Sequence, residues 1–138
     1  MTHSTQITLS AELESLPKFR EQIKITCKDV PGFSEEALYD LQLAVDELCT
    51  NIIMHGYKDM DPGSIVLNVD VEKDRVVVTL TDFGHAFEPA EPPAPDPNAS
   101  VEEREIGGLG LFFVHMSVDD IQYESSATGN VTRIIKKR

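Results

Sequence analysis

Apolar residues recur along this chain with two periods, and each change of period marks a new element. Residues 6–10, Gln6-Ile7-Thr8-Leu9-Ser10, alternate as a short strand does. From Glu12 to about Asp29 the apolar positions Leu13, Leu16, Phe19, Ile23 and Cys27 fall at helical spacing, with Pro17 in the first turns, where a helix can begin. A second helix has a clear start. Ser34 is a good N-cap, Glu35 and Glu36 suit the positive end of the helix dipole, and Phe33 can staple against Leu38. The pattern runs to His55, where Gly56 can end it.

After a turn at Asp61-Pro62-Gly63, two alternating runs over 65–71 and 75–81 predict a β-hairpin with one buried face. The segment from Ala86 to Ile106 holds five of the eight prolines and six acidic residues, with Arg104 its one base, so it reads as a mobile loop. Gly107-Gly108-Leu109-Gly110 then opens an apolar helix over 111–116, and two closing strands around 121–123 and 131–135 turn at Thr128-Gly129-Asn130. Strands joined mostly by hairpins, with helices gathered between them, predict an α/β fold: a two-layer sandwich whose mixed, mostly antiparallel sheet is covered on one face by helices.

Composition narrows the class. The 138 residues suffice for one domain with its own core, and 41% hydrophobic with 26% charged residues suits a globular chain. No run reaches the roughly 18 apolar residues of a membrane span, and Met1 to Thr5 lacks the regions of a signal peptide, so a cytoplasmic protein without membrane partners is expected. A net charge of −12 has the wrong sign for direct nucleic-acid binding, although four of the twelve basic residues crowd into the last six positions. Cys27 and Cys49 stand far apart within helical pattern and read as small buried hydrophobes.

Three stretches carry candidate chemistry. On the second helix, at about 100° per residue, Leu38, Leu41, Val45, Leu48 and Ile52 form the packed face, while Glu47, Asn51 and His55 make an i, i+4, i+8 stripe on its flank. An Asn carbonyl is a hard donor suited to Mg²⁺, and a carboxylate one turn away can take a proton or orient a hydroxyl. Asp46 projects to the opposite flank, toward solvent. The plain alternative for the stripe is a polar helix shoulder.

Second, Asp82 ends a predicted strand with Gly84 two residues on; an Asp there can accept from an exocyclic amine, and the glycine lets backbone approach a flat base. The same spacing also makes a common turn. Asp82-Phe83-Gly84 coincides with a protein-kinase signature as well, but the His-Arg-Asp loop and the room for two lobes are missing. Third, amides at the start of the helix after Gly107-Gly108-Leu109-Gly110 can face phosphate oxygens, or the glycines can serve as a hinge.

In this order the stretches resemble the GHKL ATPases, and most closely the anti-sigma-factor serine/threonine-protein kinases of partner-switching systems. Residues 43–57 are similar to that family's N-box, Asp82-Phe83-Gly84 to its first glycine box, Gly108-Leu109-Gly110-Leu111 to its second, and Gly129-Asn130-Val131-Thr132 to its final nucleotide-contacting turn. The resemblance spans nearly the whole chain. It implies a Bergerat ATP-binding fold over 1–138 with residues 86–106 as the ATP lid. By the same resemblance Glu47 is the general base, Asn51 ligates Mg²⁺, Asp82 with Gly84 reads adenine, Gly108 and Gly110 meet the phosphates of ATP, and Thr132 adds a contact near the base. Two positions depart from the pattern: Ala86, where a second glycine is common, and Ile106, where a basic residue is common and Arg104 is the candidate substitute.

The function so implied is phosphorylation of an anti-anti-sigma (STAS-type) partner, with a sigma factor as a further partner and a homodimer by analogy. A nucleotide-responsive module that sequesters a regulator without phosphotransfer is the competing expectation. A two-layer domain without nucleotide is the third.

Overall fold

The computed structural model describes residues 2–86 and 108–138, with side chains of the helix that opens at residue 108 described from Leu111 onward. Strand β1 (His3–Ser10) leads through a 3-10 turn (Leu13–Ser15) into α1 (Leu16–Cys27), which carries Pro17 in its first positions, where a missing N–H costs nothing. Helix α2 (Glu35–Asn51) begins on the expected cap: Ser34 Oγ accepts the Ala37 N–H at 3.0 Å. The hairpin β2 (Ser64–Val71) and β3 (Arg75–Asp82) follows, then α3 (Gly108–Ser117), β4 (Asp120–Ser126) and β5 (Gly129–Lys137).

The five strands lie in the order β1-β2-β3-β5-β4, and every pairing is antiparallel. Alternation decides which face is inside. Ile65, Leu67, Val69 and Val71 of β2 are buried while Ser64, Val66, Asn68 and Asp70 between them are half-exposed. Val76, Val78 and Leu80 of β3 and Ile134 of β5 continue that inner face. Phe19, Ile23 and Cys27 from α1, Leu41, Ala44, Val45, Leu48 and Cys49 from α2, and Val114 from α3 complete the core against it. The two-layer sandwich is therefore as the pattern predicts, and both cysteines are buried hydrophobes within it.

Two local departures matter for the site. The α-helical pattern does not continue to His55: α2 ends at Asn51 and a π-helical turn covers Ile52–Gly56, closed by the Tyr57 N–H donating to the Ile52 carbonyl at 3.0 Å. The wider turn breaks the 100° progression on which the stripe of Glu47, Asn51 and His55 rests, and His55 lies at the surface. Asp46 is not a solvated flank residue either. It is half-buried and pairs with Arg20 of α1 at 2.8 Å, tying the two helices together. The expected lid over 86–106 falls outside the described residues, apart from Ala86, which is exposed.

Candidate functional site

The end of α2 and the end of β3 meet beneath the π-helical turn. Asn51 is the last residue of α2 and Asp82 the last of β3, and both are buried. Strand register explains the inward aim of Asp82: it pairs with Ile65 on one side and Asn130 on the other, both buried on the helix-facing side of the sheet. One cleft is lined by Leu48, Asn51, Ile52, Gly56, Asp82, His85 and Thr132. Residues 31 positions apart in the chain, Asn51 and Asp82, thus open onto a shared cavity, with the aliphatic side chains of Leu48 and Ile52 among its other walls.

The polar groups of this cleft are not mutually satisfied. Oδ1 of Asp82 accepts the Gly84 N–H at 3.0 Å and the Asn130 carboxamide at 2.9 Å, and among the described residues no donor is assigned to Oδ2. Nδ2 of Asn51 is buried without a hydrogen-bond partner among the described residues. A buried orphan of this kind costs free energy unless something else pairs with it, so its persistence in a cleft is a ligand signal. The turn after β3 is pressed onto the π-helical turn: the His85 N–H donates to the Gly56 carbonyl, and a Cβ at position 84 would overlap that same carbonyl. Only glycine allows this approach.

Glu47 stands one helical turn before Asn51 and is half-buried, but it is not among the residues lining the cleft. Burial, and next the charge of Asp46, hold its carboxyl above the usual range. Asp46 is itself raised by burial, opposed by the Arg20 guanidinium, and its Oδ1 is buried without a partner among the described residues. Gly108 and Gly110 are the first and third residues of α3, so the second glycine stretch does open a helix, as its composition predicts. Ile106 and Arg104 lie outside the described residues.

Of the residues singled out in the sequence, Asn51, Asp82 and Thr132 are brought to one cleft, Gly84 packs on the backbone of Gly56, a residue of its lining, and Glu47 stands one helical turn before Asn51. Asn130 reads in the sequence only as part of a turn. It is buried at the start of β5, donates to Asp82 Oδ1 and to the Gly84 carbonyl at 3.0 Å, and accepts from Ser125 Oγ at 2.6 Å. Its role follows from lying directly opposite Asp82 in the β3–β5 register, which no local pattern announces.

The described side chains suit a purine nucleotide with a divalent ion. The cleft offers the aliphatic side chains of Leu48 and Ile52, a carboxylate oxygen open to an exocyclic amine, and the Asn51 carboxamide, whose buried Nδ2 can donate to a ligand oxygen and whose Oδ1 is the atom that would face a cation. No cluster of three or more His, Cys, Asp or Glu gathers among the described residues. An ion there would share one carboxamide with phosphate oxygens and water, the mode that Mg²⁺ favours.

Comparison with known proteins agrees. A family profile described as Histidine kinase-like ATPase domain matches residues 9–136. The chain is 32% identical over 113 residues to the serine-protein kinase RsbW of Listeria monocytogenes serotype 4a, covering 78% of this chain and 72% of that protein. It is 28% identical over 131 residues to the serine-protein kinase RsbW of Bacillus licheniformis, covering 88% and 81%. Among solved structures, the histidine kinase domain of a blue-light-activated histidine kinase from Erythrobacter litoralis superposes with a TM-score of 0.56 at 18% identity, over 93% of this chain and 61% of that one. That likeness speaks for the fold.

Proposed function

Because the chain belongs to the histidine kinase-like ATPase family, we propose that it is an ATP-dependent serine/threonine-protein kinase that phosphorylates an anti-anti-sigma (STAS-type) partner in a partner-switching system. The observation that carries the nucleotide part is the shared cleft: Asn51, Asp82 and Thr132 line one cavity, and the Asn51 amide is buried there without a described partner. The protein-kinase part rests on the relatives named serine-protein kinase RsbW.

In this reading Asp82 accepts the exocyclic amine of adenine, Gly84 serves by letting the turn after Asp82 pack on the Gly56 carbonyl, and Thr132 adds a contact near the base. Asn51 would hold Mg²⁺ through its Oδ1, and the ion would neutralise charge on the phosphates. Gly108 and Gly110 let the amides at the start of α3 face the phosphate oxygens, aided by the positive end of the helix. Glu47 takes the proton from the partner's serine or threonine hydroxyl as that oxygen bonds the γ-phosphorus and the bond to the ADP oxygen breaks. A carboxyl raised by burial is the better base for this, because its proton affinity moves toward the working pH. A sigma factor as regulated target, a homodimer and a cytoplasmic setting belong to the same reading. Among the described residues no helix is long and apolar enough to cross a membrane.

One observation favours a second reading. Glu47 does not line the cleft, as suits a nucleotide-responsive module that sequesters a regulator without transferring phosphate. Labelled Mg-ATP and a purified anti-anti-sigma protein separate the two. Label on a partner serine or threonine, lost in Glu47→Ala, supports the kinase; an ATP-dependent complex without label supports the module. A melting midpoint unmoved by ATP refutes both, since saturation at about 100 times Kd adds roughly 2.7 kcal/mol.

A further inference from the structure

The turn that carries Asp82 is held by a side chain that does not itself line the cleft. Tyr57 follows the π-helical turn and is only 7% exposed. Its hydroxyl donates to the Ser64 carbonyl at 2.7 Å and accepts the Phe83 backbone N–H at 2.9 Å. Ser64 opens β2, and Phe83 is the residue after the end of β3. One oxygen therefore ties together the ends of two central strands, where Asp82 pairs with Ile65.

The ring has little freedom to move. A Cβ at position 63 would stand 2.7 Å from the Tyr57 ring, so the Gly63 backbone lies flat against it. Meanwhile the residue before Tyr57 grips the other end of the same turn, with the Gly56 carbonyl accepting the His85 N–H. Both contacts start from the segment that directly continues α2, the helix of Asn51. A buried tyrosine needs a partner for its hydroxyl, but one acceptor would satisfy it. Here the hydroxyl also accepts from the peptide adjoining Asp82, and a phenylalanine would fill the same volume without doing so.

We propose that Tyr57 is a positioning residue for base recognition: its hydroxyl fixes the Phe83 peptide and so sets the direction in which Asp82 offers its second oxygen to the amino group of a purine. The inference rests on the ATP reading above and deepens it. Its consequence is selectivity between a 6-amino purine, which donates to a carboxylate, and a 6-oxo purine, which presents a carbonyl to it and is repelled. A carboxylate released from its fixed direction turns away from the carbonyl, and the discrimination falls.

The test is equilibrium binding of Mg-ATP and Mg-ITP to the full chain in wild type, Tyr57→Phe and Gly63→Ala. Wild type is expected to prefer ATP. In Tyr57→Phe the ratio of the two affinities should fall about fivefold, the scale of one lost hydrogen bond. Gly63→Ala keeps the hydroxyl but displaces the ring, and should lower the ratio as well; it decides the question if Tyr57→Phe does not fold. Ile23→Val, in the core on α1, should lower the melting midpoint and leave the ratio alone. An unchanged ratio in a folded Tyr57→Phe, whatever its stability, overturns the positioning role while leaving the ATP reading intact. Wild type that binds neither nucleotide overturns the ATP reading itself, and this inference with it.

Discussion

The carboxamide of Asn130 donates to Oδ1 of Asp82 at 2.9 Å, across 48 positions of sequence and between directly opposed residues of β5 and β3. The same nitrogen reaches the Gly84 carbonyl, and Ser125 donates to the carboxamide oxygen, so the amide is committed at both ends. Asn130 thereby anchors Oδ1 of Asp82 from the β5 side, and Oδ2 is left without a described protein donor.

Removing that amide should be costly twice over. Asn130→Ala strands the Gly84 carbonyl and weakens the hold on Asp82, and chemical denaturation should show a loss of about 1–3 kcal/mol. Calorimetric titration should show ATP affinity falling as well, by about tenfold. Full ATP affinity in a destabilised Asn130→Ala would show that the contact only braces the sheet.

Asn51 predicts the opposite sign for stability. Its Nδ2 is a buried group with no partner among the described residues, so the nearly isosteric Asn51→Leu removes a desolvation cost instead of creating one. The unliganded variant should be as stable as wild type or more stable by about 1 kcal/mol. It should also lose the rise in melting midpoint that Mg-ATP produces in wild type. A retained Mg-ATP shift would remove Asn51 from the site.

Glu47 should make stability depend on pH in a direction opposite to that of a salt-bridged carboxylate. Burial, then the charge of Asp46, raises its pKa above the ordinary 4.5, so the folded protein binds this proton more tightly than the unfolded chain. The contribution of the group is full below that ordinary value and is lost as pH rises through the folded one. Glu47→Gln should therefore melt above wild type at neutral pH, and the two curves should converge as pH falls below 4.5. Phosphotransfer by wild type should rise with pH across the same window, as the carboxylate becomes free to take a proton.

The cap of α2 supplies a contrast. Ser34→Ala removes the bond to the Ala37 N–H and should cost about 1 kcal/mol of stability. Because the cap lies at the far end of the helix from Asn51, ATP affinity measured at a temperature where the variant is folded should not change.

What the residue order determines alone is whatever depends on neighbours a few positions apart. Helical spacing of Leu41, Val45 and Leu48, strict alternation through β2, and the Ser34 cap each follow from contacts within a turn or a pleat, and each is present in the fold. The same local geometry set Glu47 and Asn51 one turn apart, and the resemblance to an ATPase family rested on motifs of that length. The tertiary structure decided the remainder. Arg20 meets Asp46 because two helices share one sheet face, and the helical progression stops at Asn51 because the chain widens into a π turn before Tyr57. Asn130 meets Asp82 because β5 and β3 adopt a single register, the one that buries Ile134 opposite Val78. Such pairings are selected by burial of the whole inner face, a sum over strands distant in sequence, and periodicity along one segment carries no record of that sum.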